Sequence, residues 1–229
     1  MKVAQLPFEK TGFFSKTMLD YLAKKESIKP FYHNYPDLVG FKNQLEEKEK
    51  SFNLESRNVL SKSLEKQYQG FDLSEATQNN IKLLKQKNTF TVTTGHQLNL
   101  FTGPLYFLYK IFSTINLAEE ISKKFPTKNI VPVYWMATED HDFEEINYFN
   151  FQEKKVQWNL ESGGAVGRLS TEGLSDVFQE FSSHLGSTKN AKELKKLFSE
   201  GYLKHKNLAD ATRFIANELF KDYGLVILD

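Results

Sequence analysis

The sequence predicts an α/β chain built on a parallel sheet, and three observations carry that reading. Asn129–Ala137 (NIVPVYWMA) is a near-continuous apolar run, as in strands covered on both faces. Residues 89–94 (TFTVTT) are β-branched and aromatic, the composition of a second strand. Between them Pro104 opens an apolar stretch that reads as a helix to Phe125, proline being favoured in a first helical turn. Strand, helix, strand in this order makes a parallel crossover, right-handed by the usual chirality rule.

The flanking segments follow in chain order. Residues 13–26 carry Phe13, Phe14, Met18, Leu19 and Leu22 at helical spacing. Pro30 and Pro36 bracket an aromatic loop. Residues 38–52 and 54–68 are Lys- and Glu-rich, with apolar residues sparse enough for surface helices with one buried stripe. Residues 74–87 form another, with Ser74 as N-cap. After the first strand, 95–103 reads as a loop. In the second strand Pro132 lacks an N–H, so the ladder is expected to start just after it. An acidic stretch, 139–145, leads into a hairpin of 146–151 and 156–160 with its turn at 152–155. Trp135 and Trp158 are assigned to the core. Gly163, Gly164 and Gly167 mark a turn region. Helices follow at 174–185, 191–203 and 208–223, with Gly224 at the C′ position of the last. Residues 225–228 (LVIL) form a third strand.

These segments divide into a helical N-terminal region (1–88), a first strand–helix–strand unit (89–145), an inserted hairpin and helices (146–206), and a return helix and strand (207–229). A three-stranded parallel sheet ending at Asp229 leaves little to cover its faces, so the chain is expected to be a piece of a longer protein.

Composition excludes several classes. Net charge is +1, from 30 basic and 29 acidic residues, which offers nothing for nucleic acid or an anionic membrane. There is no cysteine, which removes disulfides and thiolate zinc sites. Residues 1–10 lack the apolar stretch of a signal peptide, and no apolar run is long enough to span a bilayer. A cytoplasmic location is expected.

Two polar clusters sit where each strand ends. In the first, Thr94, Gly95, His96, Gln97, Thr102 and Gly103 lie between strand and helix. Carboxyl ends of parallel strands are the usual ligand crevice, and helix N-termini attract anions. The expected donors are the amides around Gly103, Leu105 and Tyr106, with Thr94, Gln97 and Thr102 adding side chains. His96 is placed to donate to an anion or move a proton. The spacing is neither a Walker loop nor G-x-G-x-x-G. A connector shaped by two glycines is the plain alternative. In the second cluster Glu139, Asp140, His141 and Asp142 follow directly on a buried strand. They invite a Mg²⁺-type site of oxygen ligands with His141 as an extra ligand, a His141 base oriented by a carboxylate, or a solvated turn, and at least one of Glu139, Asp140 and His141 is expected in a substrate pocket. No metal is expected, because adjacent residues on extended chain point to opposite sides. Lys110 is within reach of the first cluster but is read as a packing or surface residue.

Taken together, Thr94-Gly95-His96-Gln97, Leu100-Phe101-Thr102-Gly103-Pro104-Leu105-Tyr106, Val131-Pro132-Val133-Tyr134-Trp135-Met136-Ala137 and Glu139-Asp140-His141-Asp142-Phe143-Glu144-Glu145-Ile146-Asn147 closely resemble the bacillithiol biosynthesis cysteine-adding enzymes, the BshC family. The closing residues 223–229 resemble it too. The resemblance implies a Rossmann-like core related to class I aminoacyl-tRNA synthetases, and a C-terminal coiled coil pairing two protomers into a homodimer. It implies a ligase that joins L-cysteine to glucosaminyl-malate through an amide. Gly95-His96 stands where that superfamily has a two-histidine phosphate motif, but the second histidine is absent. A nucleotide cofactor therefore remains an open alternative. On this reading His96, His141 and Asp140 are the catalytic candidates, and Thr94, Gly95, Gln97, Thr102, Gly103, Glu139 and Asp142 bind substrate or nucleotide. A non-catalytic nucleotide- or sugar-binding module is the competing reading, and a metal-dependent hydrolase built on 139–142 is the third.

Overall fold

The computed structural model describes residues 4–229, so the N-terminal decapeptide begins outside the described residues. The chain forms two units, the first ending at Ser51 and the second running Phe52–Asp229.

The first unit holds α1 (Lys16–Leu22) and α2 (Leu38–Ser51). The Ser15 hydroxyl caps α1 by accepting from the Met18 amide at 3.3 Å. The helix is shorter at both ends than its apolar spacing suggests. Ser15 sets the start, and Lys24 at φ 53° turns the chain soon after Leu22. Asp20 is buried and balanced by Lys16 and Lys25, each at 2.6 Å. A Cβ at Gly40 would lie 1.8 Å from the Tyr35 carbonyl oxygen, so only glycine lets α2 start against that turn.

The second unit opens with α3 (Leu54–Gln67) and α4 (Glu75–Leu83). Ser74 caps α4 as expected, accepting from the Thr77 amide at 3.1 Å. Then come β1 (Thr89–Gln97), α5 (Tyr106–Lys124), β2 (Asn129–Ala137) and the single turn α6 (Phe143–Ile146). The hairpin β3 (Tyr148–Phe151) and β4 (Lys154–Gln157) follows. The remaining elements are α7 (Leu174–His184), α8 (Lys189–Tyr202), α9 (Leu208–Phe220) and β5 (Val226–Leu228). The main sheet is parallel with order β1-β2-β5, so β2 is central, as its apolar run requires. The α/β class with a parallel sheet is as the sequence predicts.

Four details differ from the sequence reading. β1 runs three residues further, placing Gly95, His96 and Gln97 in the ladder opposite Trp135, Met136 and Ala137. The expected loop therefore begins only after Gln97. Pro132 pairs with Val92 inside the β1 ladder, and only the β5 ladder starts after it, at Val133. Helix α5 starts at Tyr106, with the Pro104 carbonyl accepting from the Phe107 amide at 3.0 Å, so the proline sits just ahead of the helix. Trp135 is 49 % exposed, whereas its neighbours Tyr134 and Met136 are fully buried. Strand alternation turns it to the other face of the sheet, beside Gly95. Trp158 is core, as expected.

The hairpin turn is two residues, Gln152 and Glu153, both at positive φ as in type I′ turns. That short turn places the strands at 148–151 and 154–157. Gly224, at φ 71°, ends the last helical segment as expected. The outer edge of β5 is occupied by side chains of the α3 terminus. Gln67 donates to the Ile227 carbonyl at 2.9 Å and accepts from the Asp229 amide at 3.0 Å, while the Tyr68 hydroxyl accepts from the Ile227 amide at 2.7 Å. These bonds stand in for a neighbouring strand. Burial pushes the Tyr68 phenol up to about 12. A Phe cluster of Phe149, Phe181 and Phe198 joins the hairpin to α7 and α8, and it receives Phe101 from the loop after β1.

Candidate functional site

Both polar clusters lie at carboxyl ends of the parallel strands, because β1 and β2 finish level, at Gln97 and Ala137. They meet through one residue. Gln97 donates to Glu145 at 3.0 Å and lies near enough to Asp140 to help hold its carboxyl charged. Asp140 Oδ1 accepts from the amides of His141 and Asp142 at 2.6 and 3.0 Å. The Asp142 amide foremost, with Gln97 and the His141 amide, holds the Asp140 carboxyl below the usual carboxylate range. Asp140 thus organises the turn as a charged acceptor. His141 and Asp142 are exposed, 3.8 Å apart, and contact solvent more than each other. The ligand atoms of Asp140, His141 and Asp142 lie within 4.8 Å of one another, but one Asp140 oxygen is already committed to the turn.

Glu139 takes the other direction, because the chain turns after β2, with the Thr138 amide donating back to the Met136 carbonyl at 3.0 Å. It lines a cavity of about 470 Å³ between the ends of β2 and β5, together with Thr138, Gly167, Arg168, Asn207, Asp210 and Asp229. The second cluster is therefore split. Asp140 faces the β1 side, and Glu139 faces the β5 side.

His96 is half-buried between the rings of Tyr106 and Phe107, at 5.9 and 5.6 Å. Its Nδ1 is 2.9 Å from both the Gln97 carbonyl and the Asn99 amide nitrogen. With a proton on Nδ1 the ring donates to Gln97, and Nε2 is a proton acceptor. With Nδ1 bare it accepts from Asn99, and Nε2 carries the proton as a donor. Burial foremost, and the nearby Lys110 charge, push the imidazole below its usual value, so it is neutral at neutral pH. The Lys110 ammonium donates to the Gly95 carbonyl, which gives this lysine a defined role at the strand end.

The loop that orders His96 is strained. Phe101, Thr102 and Gly103 are all at positive φ (43°, 66° and 45°). Phe101 is held by burial in the Phe cluster, and its amide donates to the Tyr202 hydroxyl at 2.7 Å. A Cβ at Gly103 would lie 2.7 Å from Asn99 Cβ and 2.8 Å from its Oδ1, so the glycine makes room for the side chain that holds His96. The Gly103 amide is committed to the Leu100 carbonyl at 2.9 Å and is not a free anion donor, contrary to the sequence reading. Thr94 is half-buried in the ladder opposite Tyr134, and Thr102 is half-buried in the loop.

The model of the bacillithiol biosynthesis BshC N-terminal Rossmann-like domain matches residues 1–229. The chain belongs to the BshC family. Its sheet is thus the Rossmann-like core of that family, as the motif resemblance implies. A Flavobacterium psychrophilum protein named "Putative cysteine ligase BshC" is 59 % identical over 98 % of this chain and 42 % of its own length. One of the same name from Flavobacterium johnsoniae is 58 % identical over 98 % of this chain and 42 % of its own length. A Cytophaga hutchinsonii protein so named is 39 % identical over 99 % of this chain and 41 % of its own. The chain therefore spans about two-fifths of the length of these BshC relatives.

Within this BshC domain, three residues at the site went unread in the sequence, Asn99, Arg168 and Tyr202, and a fourth, Trp135, was misplaced. Asn99 and Tyr202 act on the first cluster from the loop and from α8, and their roles depend on the fold. Trp135 was placed in the core because its strand is apolar throughout. Gly95 leaves its indole uncovered, since a Cβ there would approach the ring at 3.4 Å. Arg168 lies between Gly167 and Leu169 in a segment with no motif. Its one signal was a cation directly after Gly167.

Proposed function

We propose that this chain supplies the Rossmann-like part of a cysteine ligase that adds L-cysteine to glucosaminyl-malate in the last step of bacillithiol biosynthesis. The observation that carries the proposal is the level register of β1 and β2. That register sets the two polar clusters level at the ends of adjacent strands, and it supports reading His96, Gln97 and Asp140 as parts of one site.

Forming the amide requires the substrate amine to attack the cysteine carboxyl carbon. A C–N bond forms, a C–O bond breaks with its oxygen leaving as water or on the phosphate of an activating nucleotide, and one proton leaves the nitrogen. His96, neutral and with its Nδ1 proton on the Gln97 carbonyl, accepts that proton at Nε2. Asp140 holds the turn that presents His141 and Asp142 to substrate. Gln97 ties the two strand ends together, and Thr94, Gly95, Thr102, Gly103, Glu139 and Asp142 line the binding surface. A nucleotide is the chemical class that would activate the carboxyl when bound, and no metal is called for. Small-molecule substrates, a cytoplasmic location and a coiled-coil homodimer of the whole protein belong to the same proposal. Among the described residues no helix is long and apolar enough to cross a membrane.

The test is product formation by the intact protein from L-cysteine and glucosaminyl-malate, with and without ATP, followed by mass spectrometry. The adduct is expected, and His96→Ala should lower kcat by about 100-fold or more. Substrate binding without any product, in the intact protein under both conditions, would establish the non-catalytic binding module instead.

A further inference from the structure

We infer that the cavity between the ends of β2 and β5 is a subsite for an α-amino acid, with Arg168 taking its carboxylate and Glu139 its ammonium. This rests on the ligase reading only for the identity of the amino acid as L-cysteine.

Arg168 is held in place by its neighbours. The Val166 amide donates to the Asp140 carbonyl at 2.7 Å, and the Gly167 amide donates to the Thr138 carbonyl at 3.0 Å. A Cβ at Gly167 would come within 2.6 Å of Thr138 Cβ, so the segment can approach this closely only as glycine. On the other side Ser170 bridges to Asn207, and the Leu208 amide donates to the Leu169 carbonyl at 3.0 Å. Arg168 is thus presented between two main-chain anchors at the carboxyl edge of the sheet, where α/β folds bind ligands. Among the described residues its guanidinium has no ion-pair or hydrogen-bond partner.

The other charges lining the cavity select the ligand. Asp229 is already neutralised: Arg213 donates to it at 2.5 Å and the Thr138 hydroxyl donates at 2.5 Å. Asp210 is engaged as well, by Arg213 at 3.8 Å and by the Asn207 side-chain amide at 2.8 Å, which leaves Glu139 as the acceptor facing the cavity. The N-terminus of the 13-residue helix α9 opens on the same space and adds positive potential beside Arg168. One guanidinium with a helix N-terminus matches one carboxylate, and the Glu139 carboxylate matches one ammonium. A dianion would meet repulsion from Glu139. A zwitterion with one group of each sign satisfies every partner. Both substrates of the proposed reaction carry an amine and carboxylate, but only the amino acid has a single carboxylate.

The test is isothermal titration calorimetry on the intact protein with L-cysteine, L-alanine, cysteamine, 3-mercaptopropionate and glucosaminyl-malate. L-cysteine and L-alanine should bind. Cysteamine, lacking the carboxylate, and 3-mercaptopropionate, lacking the ammonium, should bind at least 10-fold more weakly than L-cysteine. Arg168→Ala should weaken both amino acids at least 10-fold, Arg168→Lys should recover part of that loss, and glucosaminyl-malate should be unchanged within 2-fold. Arg168→Ala is exposed and should melt with the parent protein. The subsite is overturned if Arg168→Ala leaves both amino acids within 2-fold. It is also overturned if cysteamine binds as tightly as L-cysteine, or if glucosaminyl-malate is the ligand that weakens. Arg168-dependent binding of L-alanine with no amide product would leave the subsite standing and remove the ligase reading.

Discussion

The hydroxyl of Tyr202, fully buried at the end of α8, accepts a hydrogen bond from the Phe101 amide at 2.7 Å and faces the Asn99 carbonyl at 3.3 Å. One phenol from a distant helix thus spans the left-handed segment that follows β1. Burial raises its pKa, so it stays a neutral hydroxyl through the working range. Tyr202→Phe keeps the ring in the Phe cluster but strands the Phe101 amide. The expected loss is about 1–3 kcal/mol in urea unfolding. Hydrogen exchange should speed at Phe101 and stay unchanged in β2.

Gly103→Ala combines two penalties, a Cβ against Asn99 at 2.7 Å and a φ of 45°. We expect a loss of about 1–3 kcal/mol. We also expect displacement of Asn99 from His96. The observable is the His96 ring titration by NMR, which should move toward that of an exposed histidine. A variant that loses stability while its His96 titration stays put would refute the link between glycine and histidine.

His96 itself makes stability depend on pH. Its folded pKa lies below the ordinary 6.5, with burial the main cause. Through the window between the two values the unfolded chain holds the proton more tightly, so stability rises with pH there. The contribution is complete above about 6.5 and is lost as pH falls through the folded value. Urea midpoints measured from pH 7.5 down to pH 5 should fall, and the fall should be shallower in His96→Gln. An unaltered slope in that variant would assign the dependence to other groups.

At the other end of the crevice, Asp229 neutralises Arg213, whose side chain is 9 % exposed. Asp229→Asn leaves that guanidinium with its longer contact to Asp210, at 3.8 Å. Because the pair is partly open to solvent, the loss should be about 1–2 kcal/mol, between exposed and buried pairs. Double-mutant cycles with Arg213→Met should return most of this as coupling. Additive effects would show that the pair is incidental.

Gly167→Ala must push Thr138 away, the nearest atom being 2.6 Å from the new methyl. Thr138 also donates to Asp229, so the shift reaches the wall of the cavity. L-cysteine affinity is expected to drop about 10-fold in calorimetry, with the Tm lowered by a few degrees. Unchanged affinity in a folded variant would show that the segment does not position Arg168.

What the sequence determined was local. The apolar run of Asn129–Ala137 demanded a central strand, Ser74 a helix start and Gly224 a helix stop, and all three occur. The polar residues at the strand ends were visible too, because a cluster such as Glu139–Asp142 directly after a buried strand stands out by contrast alone. The family words around Gly95-His96 and Asp140-His141 were legible for the same reason. Tertiary structure decided the partners. Nothing in residues 95–103 shows that Tyr202 will hold Phe101, since that contact crosses a hundred residues and depends on where α8 packs. The extension of β1 to Gln97 required the length of β2, which offers it partners as far as Ala137. The division of Glu139 from Asp140 follows from the turn after β2, in which the Asp140 amide donates back to the Ala137 carbonyl at 3.4 Å. Arg168 is silent in the sequence because its placement comes from two backbone hydrogen bonds to 138–140. Main-chain groups are the same at every residue, so the pattern of side chains carries no record of them.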